Sequence, residues 1–353
     1  MEYRQLGSTD VRVSAYGLGT WMFGREGNRD AGECTKMVHA ALDAGINLID
    51  TADAYSSGEA ETIVGAAIEG RRTEIVLASK VGYPIAGQPG SGGLSRRWIV
   101  DGVEGSLRRL RTDYLDVYFL HRPDPSTPLE ESLGALDELV RAGKVRLAGC
   151  STFPAWQIAE SRCITSASGL APLRCEQPPY SILVRGAEWD VFPVARRFGM
   201  GIMAWSPLAG GWLTGKYRAG AAPRGSRAAR GSEFDPGNAR LVERYDLAAP
   251  TNQVKARAVD QLAALAAEAG LPLAGLALAF AGSHPAVSSV LIGPRTLPQL
   301  EELLPLTAIR LDGSVLDRID EIVPPGAVLN DADRGWDPPW MAATARRRGQ
   351  AER

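Results

Sequence analysis

The stretch LDVYFLHRPDPSTPLEESLGALDELVRAGKVRLA, residues 115–148, contains the pattern that decides the fold. It opens with an apolar run at residues 115–120 and closes with a second run at 145–148. Between these runs, from Leu129 to Val140, apolar residues recur every three or four positions, which predicts an amphipathic helix. An apolar strand, a helix and another apolar strand form the repeating unit of a parallel sheet whose two faces are both buried.

The same unit recurs along the chain and gives eight candidate strands. The apolar runs occupy residues 16–18, 46–49, 75–78, 115–120, 145–148, 173–175, 202–204 and 289–292. Eight units predict a single (β/α)₈ TIM barrel, an α/β fold whose usual size of ~250 residues leaves about 100 for caps and loops. An open doubly wound sheet is the alternative. It is disfavoured because the glycines after the first run, Gly17, Gly19 and Gly24, lack the G-x-G-x-x-G spacing of its phosphate-binding turn.

Three segments lie outside the repeat. Residues 1–14 place two short strand-like runs around GSTD and predict an N-terminal β-hairpin that closes the barrel floor. Residues 216–250 are rich in Gly, Ala, Pro and Arg without a helical period, which predicts a long loop and a candidate lid. Residues 324–353 are Pro-rich at their start, and we expect a C-terminal extension that crosses the body in extended form. No linker is visible, so one domain over 1–353 is expected.

The composition narrows the class of protein. Lys plus Arg is 39 and Asp plus Glu is 41, a net charge of −2 that offers no basic surface for nucleic acid or an anionic membrane. The four cysteines and three histidines lack metal-ligand spacing, so no metal is expected. The N-terminus lacks the apolar region of a signal peptide, and no uninterrupted apolar segment is long enough to span a membrane. We therefore expect a cytoplasmic protein with reduced thiols.

Four side chains with different chemistry follow the ends of the predicted strands, where TIM barrels carry their active sites. They are Asp50, Tyr55, Lys80 and His121. Each alone is as readily a helix cap, a salt bridge or a surface residue, although Lys80 stands out because the chain holds only five Lys against 34 Arg. We expect Asp50 to pair with Lys80 and keep it cationic. The cation would lower the pKa of Tyr55 towards the working pH, as a proton-donating tyrosine needs.

Seven ordered blocks resemble the aldo-keto reductase superfamily along nearly the whole chain. They are NLIDTADAYSSGEAE (47–61), LASKVG (77–82), YLDVYFLHRPDPSTPLEESL (114–133), GKVRLAGCST (143–152), EQPPYS (176–181), WSPLAGGWLTGKY (205–217) and IGPRTLPQLEEL (292–303). Within that superfamily the chain is similar to a bacterial branch and to the β subunits of voltage-gated potassium channels. The resemblance implies NADPH-dependent reduction of a small-molecule carbonyl compound.

The resemblance also implies roles for individual residues. Asp50, Tyr55, Lys80 and His121 match the catalytic tetrad. In that tetrad Tyr55 donates the proton, Asp50 and Lys80 tune it, and His121 orients the carbonyl. The implied cofactor-binding residues are Ser151, Thr152 and Gln177 at the carboxamide, Trp205 against the nicotinamide, Ser206, Leu208, Gly210 and Lys216 at the pyrophosphate, and Gly293, Arg295, Gln299 and Glu302 around the adenosine 2′-phosphate and adenine. Two positions depart from the pattern, since Thr152 and Leu303 stand where the family usually or often has Asn.

The substrate stays open at the level of sequence. We expect an aromatic cleft lined by Trp21, Tyr83, Trp212 and Trp336. Small aldehydes, sugar aldehydes, keto-deoxysugars of natural-product pathways and aromatic ketones all suit such a cleft. A different class of function, an NADP(H)-binding redox sensor or regulatory subunit with little turnover, is the alternative. The sequence does not fix the oligomeric state.

Overall fold

A hairpin and a closed barrel organise the chain in the computed structural model, which describes residues 1–220, 222–230 and 239–347. The strands are β1 (Tyr3–Gln5), β2 (Arg12–Ser14), β3 (Tyr16–Gly19), β4 (Leu48–Asp50), β5 (Val76–Val81), β6 (Leu115–Leu120), β7 (Val145–Ser151), β8 (Leu173–Gln177), β9 (Gly201–Ala204) and β10 (Val287–Ile292). Strands β1 and β2 pair antiparallel, and β3 to β10 close into a barrel of parallel neighbours. The predicted TIM barrel and its N-terminal hairpin are confirmed.

Helices surround the barrel and connect its strands. They are α1 (Ala31–Asp43), α2 (Glu59–Ala67), α3 (Arg96–Leu110), α4 (Leu129–Arg141), α5 (Ala155–Ser168), α6 (Val191–Arg197), α7 (Arg227–Arg230), α8 (Ala239–Tyr245), α9 (Pro250–Glu268), α10 (Leu273–Ser283), α11 (Leu297–Leu303), α12 (Gly313–Ile322) and α13 (Ala343–Arg346). Helix α4 begins at Leu129 as its period predicts and buries Leu133, Leu136 and Leu139. Within the described ranges no single helix has the length and apolarity to cross a membrane, although Arg240–Glu268 and Leu273–Ser283, bent by 94°, pass that test together.

Large apolar side chains fill the barrel interior. Val117, Phe119 and Met203 are fully buried there, together with Leu6, which enters from the floor beside the hairpin. A Cβ atom on Gly149 would lie 2.6 Å from the Phe119 ring, so glycine is required where the aromatic ring crosses the neighbouring strand. The hairpin thus closes one end, and the other end is left for polar side chains.

Several strands extend beyond their apolar runs at that other end. Strand β5 continues through Lys80, β7 through Ser151 and β8 through Gln177. Lys80 is in register with Phe119, and Ser151 with Gln177. The parallel ladder therefore holds Lys80, Ser151 and Gln177 on strands, which are more rigid supports than loops.

The segment 216–250 differs from its prediction as a loop. It contains a 3₁₀ turn at Arg218–Gly220 and the helices α7 and α8, and α9 begins at Pro250. Tertiary contacts hold α8, since the Arg244 carbonyl accepts a hydrogen bond from Trp212. Residues 221 and 231–238 of this segment lie outside the described residues.

The C-terminal segment is also less extended than expected. It forms 3₁₀ helices at Asp331–Arg334 and Pro339–Met341 before α13, and residues 348–353 lie outside the described part of the chain. Asp333, only 2% exposed, accepts hydrogen bonds of 2.7 Å from both Arg244 and Lys255. Two buried ion pairs thus fix the segment against α8 and α9, which a local sequence pattern does not reveal.

Candidate active site

Lys80 lies at the centre of a buried polar cluster at the carboxyl ends of the strands. Its Nζ donates to Asp50 Oδ2 at 2.6 Å, to the Thr51 carbonyl at 2.8 Å and to the Tyr55 hydroxyl at 3.1 Å. All three N–H donors of the ammonium group are therefore used. Because Tyr55 accepts from Lys80, its own hydroxyl hydrogen is left to point elsewhere.

A chain of hydrogen bonds links this cluster to strands β7 and β8. Asp50 Oδ1 accepts from Gln177 Nε2 at 2.7 Å, and Ser151 Oγ donates to the Gln177 carbonyl at 2.8 Å. Both oxygens of Asp50 thus have donors, which suits an ionised carboxylate. The predicted carboxamide-binding residues Ser151 and Gln177 lie beside the predicted tetrad.

Charge and burial set the protonation states of Lys80 and Tyr55. Burial lowers the pKa of Lys80. The Asp50 carboxylate and the Tyr55 hydroxyl raise it by a larger amount, so the pKa of Lys80 lies above its ordinary value. Burial likewise raises the pKa of Tyr55, and the Lys80 cation offsets only part of that increase. The expected lowering of the Tyr55 pKa is therefore wrong for this state of the protein, because desolvation outweighs the cation. Tyr55 is a protonated phenol at neutral pH.

His121 follows β6 and is 8% exposed. Burial and the Lys80 cation hold the pKa of His121 well below its usual value, so the imidazole is neutral. Its Nδ1 has no hydrogen-bond partner among the described residues. Its ring lies edge-on to Tyr55 at 5.8 Å and to Tyr83 at 4.4 Å between centroids. A neutral imidazole next to a phenol can place two hydrogen-bond donors around one substrate oxygen.

The backbone after β9 forms an unusual turn. Ser206, Ala209, Gly210 and Gly211 all have positive φ, at 63°, 47°, 66° and 103°. Such successive turns can form a concave surface of N–H groups that binds anions. A Cβ on Gly211 would lie 2.4 Å from the Lys216 side chain, so the glycine lets this lysine fold back over the turn.

Three cations converge beside this turn. Burial lowers the pKa of Lys216, and the charges of Arg227 and Arg295 lower it further. Within the described residues none of the three forms an ion pair with a carboxylate. Arg295 donates to the Gly225 carbonyl at 2.6 Å, and its backbone N–H donates to Gln299 Oε1 at 2.8 Å. The cluster has the charge and donors to bind phosphate groups.

The other predicted cofactor positions differ in their contacts and exposure. Thr152 has φ of 57° and donates its hydroxyl to the Ser151 carbonyl at 2.7 Å. A Cβ on Gly335 would lie within 3.0 Å of both Thr152 and Trp205, so the C-terminal segment passes directly over them. Leu208 is half-buried, whereas Gly293 and Glu302 are exposed.

The predicted aromatic residues divide into two groups. Trp21 lies under Arg227, Tyr83 contacts His121, and Trp336 lines a cavity of about 290 Å³ with two other tryptophans, Trp156 and Trp340. Trp212 is different: it is 2% exposed, and its Nε1 donates to a backbone carbonyl. The expectation that Trp212 lines the cleft is not supported, because its ring is packed in the core.

Sequence reasoning missed two residues near the tetrad. Arg122, directly after His121, stacks its guanidinium over the Tyr83 ring at 4.3 Å. Asp53 is fully buried, and neither carboxylate oxygen has a hydrogen-bond partner in the described chain. Burial and the Glu61 charge raise the pKa of Asp53 to about 8. Arg122 could have been found from its position beside a candidate catalytic histidine, whereas the environment of Asp53 gives no sequence signal.

Comparison with known proteins identifies the family to which the chain belongs. Residues 15–324 match the sequence model of the Aldo/keto reductase family. The chain is 37% identical to a probable voltage-gated potassium channel subunit beta of Oryza sativa subsp. japonica, over 92% of this chain and 97% of that protein. It is 36% identical to the uncharacterized oxidoreductase YrpG of Bacillus subtilis, over 94% and 99%. The chain belongs to the aldo/keto reductase family, an oxidoreductase family whose members generally use NAD(P)H and act on small-molecule carbonyl compounds.

Proposed function

We propose that this protein reduces an aldehyde or ketone to the alcohol with NADPH, and that Tyr55 donates the proton. The observation that carries the proposal is the hydrogen bond of 3.1 Å from the buried Lys80 ammonium to the Tyr55 hydroxyl. That bond leaves the phenolic hydrogen available to a substrate and places a cation where negative charge develops when the proton leaves.

Each of the four site residues has a distinct task in this proposal. Tyr55 gives its proton to the oxygen of the carbonyl group, and Lys80 stabilises the resulting phenolate. Asp50 keeps Lys80 cationic and fixes its position. His121, held neutral by burial, donates a hydrogen bond to the same carbonyl oxygen and orients it.

The chain also offers residues that fit the cofactor. Lys216, Arg227 and Arg295 supply positive charge without a carboxylate partner in the described chain, which suits the pyrophosphate and the 2′-phosphate. Ser151 and Gln177 lie beside the tetrad, where they would hold the carboxamide. When bound, the reduced nicotinamide supplies the hydride that the carbonyl carbon receives. The preference for NADPH rests on Arg227 and Arg295, which have no carboxylate partner within the described residues.

The test is the rate of aldehyde reduction, followed as loss of NADPH absorbance. Lys80→Met should reduce the rate by about 10² to 10⁴-fold, the usual contribution of general acid catalysis, because Tyr55 loses its charge partner. Lys36→Met removes an exposed lysine and is the matched control. Equal rates for wild type and Lys80→Met would contradict the proposal.

A second candidate is an NADP(H)-binding regulatory subunit with little turnover. Relatives from Oryza sativa subsp. japonica and from Arabidopsis thaliana, 37% and 36% identical, carry the name of potassium channel β subunits. This candidate predicts tight NADPH binding together with negligible reduction across a panel of aldehydes and ketones. The same assay therefore distinguishes it from the reductase.

A further inference from the structure

Arg122 carries a positive charge close to the candidate site, and the Tyr83 ring separates it from His121. Its guanidinium lies 4.3 Å above the Tyr83 ring, and the edge of that ring meets His121 at a centroid distance of 4.4 Å. The stacking covers one face of the guanidinium and leaves its N–H edges for another partner.

No such partner is present in the described residues. Arg122 is half-buried and makes no hydrogen bond or ion pair within residues 1–220, 222–230 and 239–347. The nearest acid in sequence, Asp124, is bonded to the backbone of Leu94 and to the hydroxyls of Ser126 and Thr127. A partly buried cation without an acceptor costs free energy, and binding an anion would recover it.

The surrounding charges reinforce this deficit of negative charge. Burial, together with the charges of Arg240 and Arg244, lowers the pKa of Arg122 to about 10, although Asp337 acts in the opposite direction. The Asp337 carboxylate does not serve Arg122 alone, because it forms an ion pair of 3.2 Å with Arg240. Arg244 is already paired with Asp333. Arg240 also has a buried Nη1 without a partner in the described chain. Arg122 stays cationic at neutral pH, with only a shared carboxylate nearby.

We propose that Arg122 is a specificity-determining residue that binds a carboxylate or phosphate group on the carbonyl substrate. This inference rests on the proposed reductase function and names the class of substrate: an aldehyde or ketone that carries an anionic group. The planar guanidinium can bind either anion through two parallel hydrogen bonds. The anion lies on the Tyr83 side of His121, and the carbonyl group lies between His121 and Tyr55.

Two aldehydes of nearly equal shape, one with a carboxylate and one with a neutral carboxamide, test the inference. Wild type should reduce 4-carboxybenzaldehyde with a kcat/KM about 10 to 100 times that for 4-formylbenzamide, the range expected for a charge-assisted hydrogen bond. Arg122→Gln should bring this ratio close to one. Arg122→Lys keeps the charge but loses the paired donors, so an intermediate ratio is expected. Arg97→Gln, at a side chain 92% exposed, removes the same charge and should keep the wild-type ratio.

A binding measurement separates the inference from the proposed function. In the presence of NADP⁺, calorimetric titration should show 4-methylbenzoate, which has no hydroxyl group to oxidise, binding wild type about 10 to 100 times more tightly than Arg122→Gln. Its neutral amide should show no such difference. If neither aldehyde is reduced, the proposed function fails, and the titration alone decides the inference. Equal benzoate affinities for wild type and Arg122→Gln, or a wild-type ratio near one in the rate assay, would overturn the inference.

Discussion

Asp333→Ala should destabilise the protein strongly, because Asp333 neutralises two buried cations at once. Arg244 and Lys255 both donate to it at 2.7 Å, and the Lys255 side chain is fully buried. Removing one partner of a buried ion pair costs about 3 to 5 kcal/mol, since the remaining charge is left without compensation. Here two charges lose their partner in one substitution.

The expected loss lies at the lower end of that range for a physical reason. Burial lowers the pKa of Lys255, and Asp333 is the main group that raises it. Without Asp333, Lys255 can release its proton and avoid an unpaired charge. We therefore expect the free energy of unfolding to fall by about 3 kcal/mol, a large share of the ~5 to 15 kcal/mol typical of folded proteins.

Urea denaturation followed by circular dichroism at pH 7 measures this loss. Asp333→Asn, which keeps the shape and removes the charge, should show most of it. The matched control is Asp331→Ala, because Asp331 is 84% exposed and, among the described residues, forms an ion pair only with the exposed Arg334. That control should lose less than about 1 kcal/mol. A loss below about 1 kcal/mol in Asp333→Ala, or equal losses in both alanine variants, would refute the reasoning.

Two further predictions concern charge at the candidate site. Arg295→Gln should weaken NADPH binding by about one to two decades and leave NADH affinity unchanged, because only NADPH carries the 2′-phosphate; equal losses in fluorescence titrations of both cofactors would contradict this. Burial raises the pKa of Asp53 to about 8, whereas an unfolded carboxyl titrates near 4. Between those values the folded protein holds a proton on Asp53 that the unfolded chain releases, so Asp53 makes the stability fall as pH rises, by at most about 1.4 kcal/mol per pH unit. Burial also raises the pKa of Glu176 to about 8, which adds a slope of the same sign. Asp53→Asn should therefore make the slope of wild type smaller in urea denaturation at pH 5, 6.5 and 8, and an unchanged slope would show that Asp53 is ionised in the fold.

The barrel was predictable because its signal is local. Each buried strand is a run of apolar residues, and each covering helix repeats its apolar face within four residues, as α4 does. The strand ends were predicted too early for the same reason. Lys80, Ser151 and Gln177 are polar, so an apolar run stops before them although the parallel ladder continues.

The features that sequence reasoning missed depend on contacts between distant segments. Helix α8 is held by Asp333, 89 residues from Arg244 in the chain. The pKa of Tyr55 was predicted from its cationic neighbour alone, but the desolvation that dominates it comes from the packing of the whole site. Trp212 was assigned to a cleft from its type and motif, and its burial follows from the fold of the segment that covers it.

The most direct test of the account is Tyr55→Phe, measured for binding and for chemistry in the same preparation. The account predicts that NADPH binds with unchanged affinity, because the ring remains and only the hydroxyl group is lost. It also predicts that aldehyde reduction in a single turnover, observed by stopped flow, slows by about 10² to 10⁴-fold. A variant that binds NADPH and reduces the aldehyde at the wild-type rate would show that Tyr55 does not donate the proton.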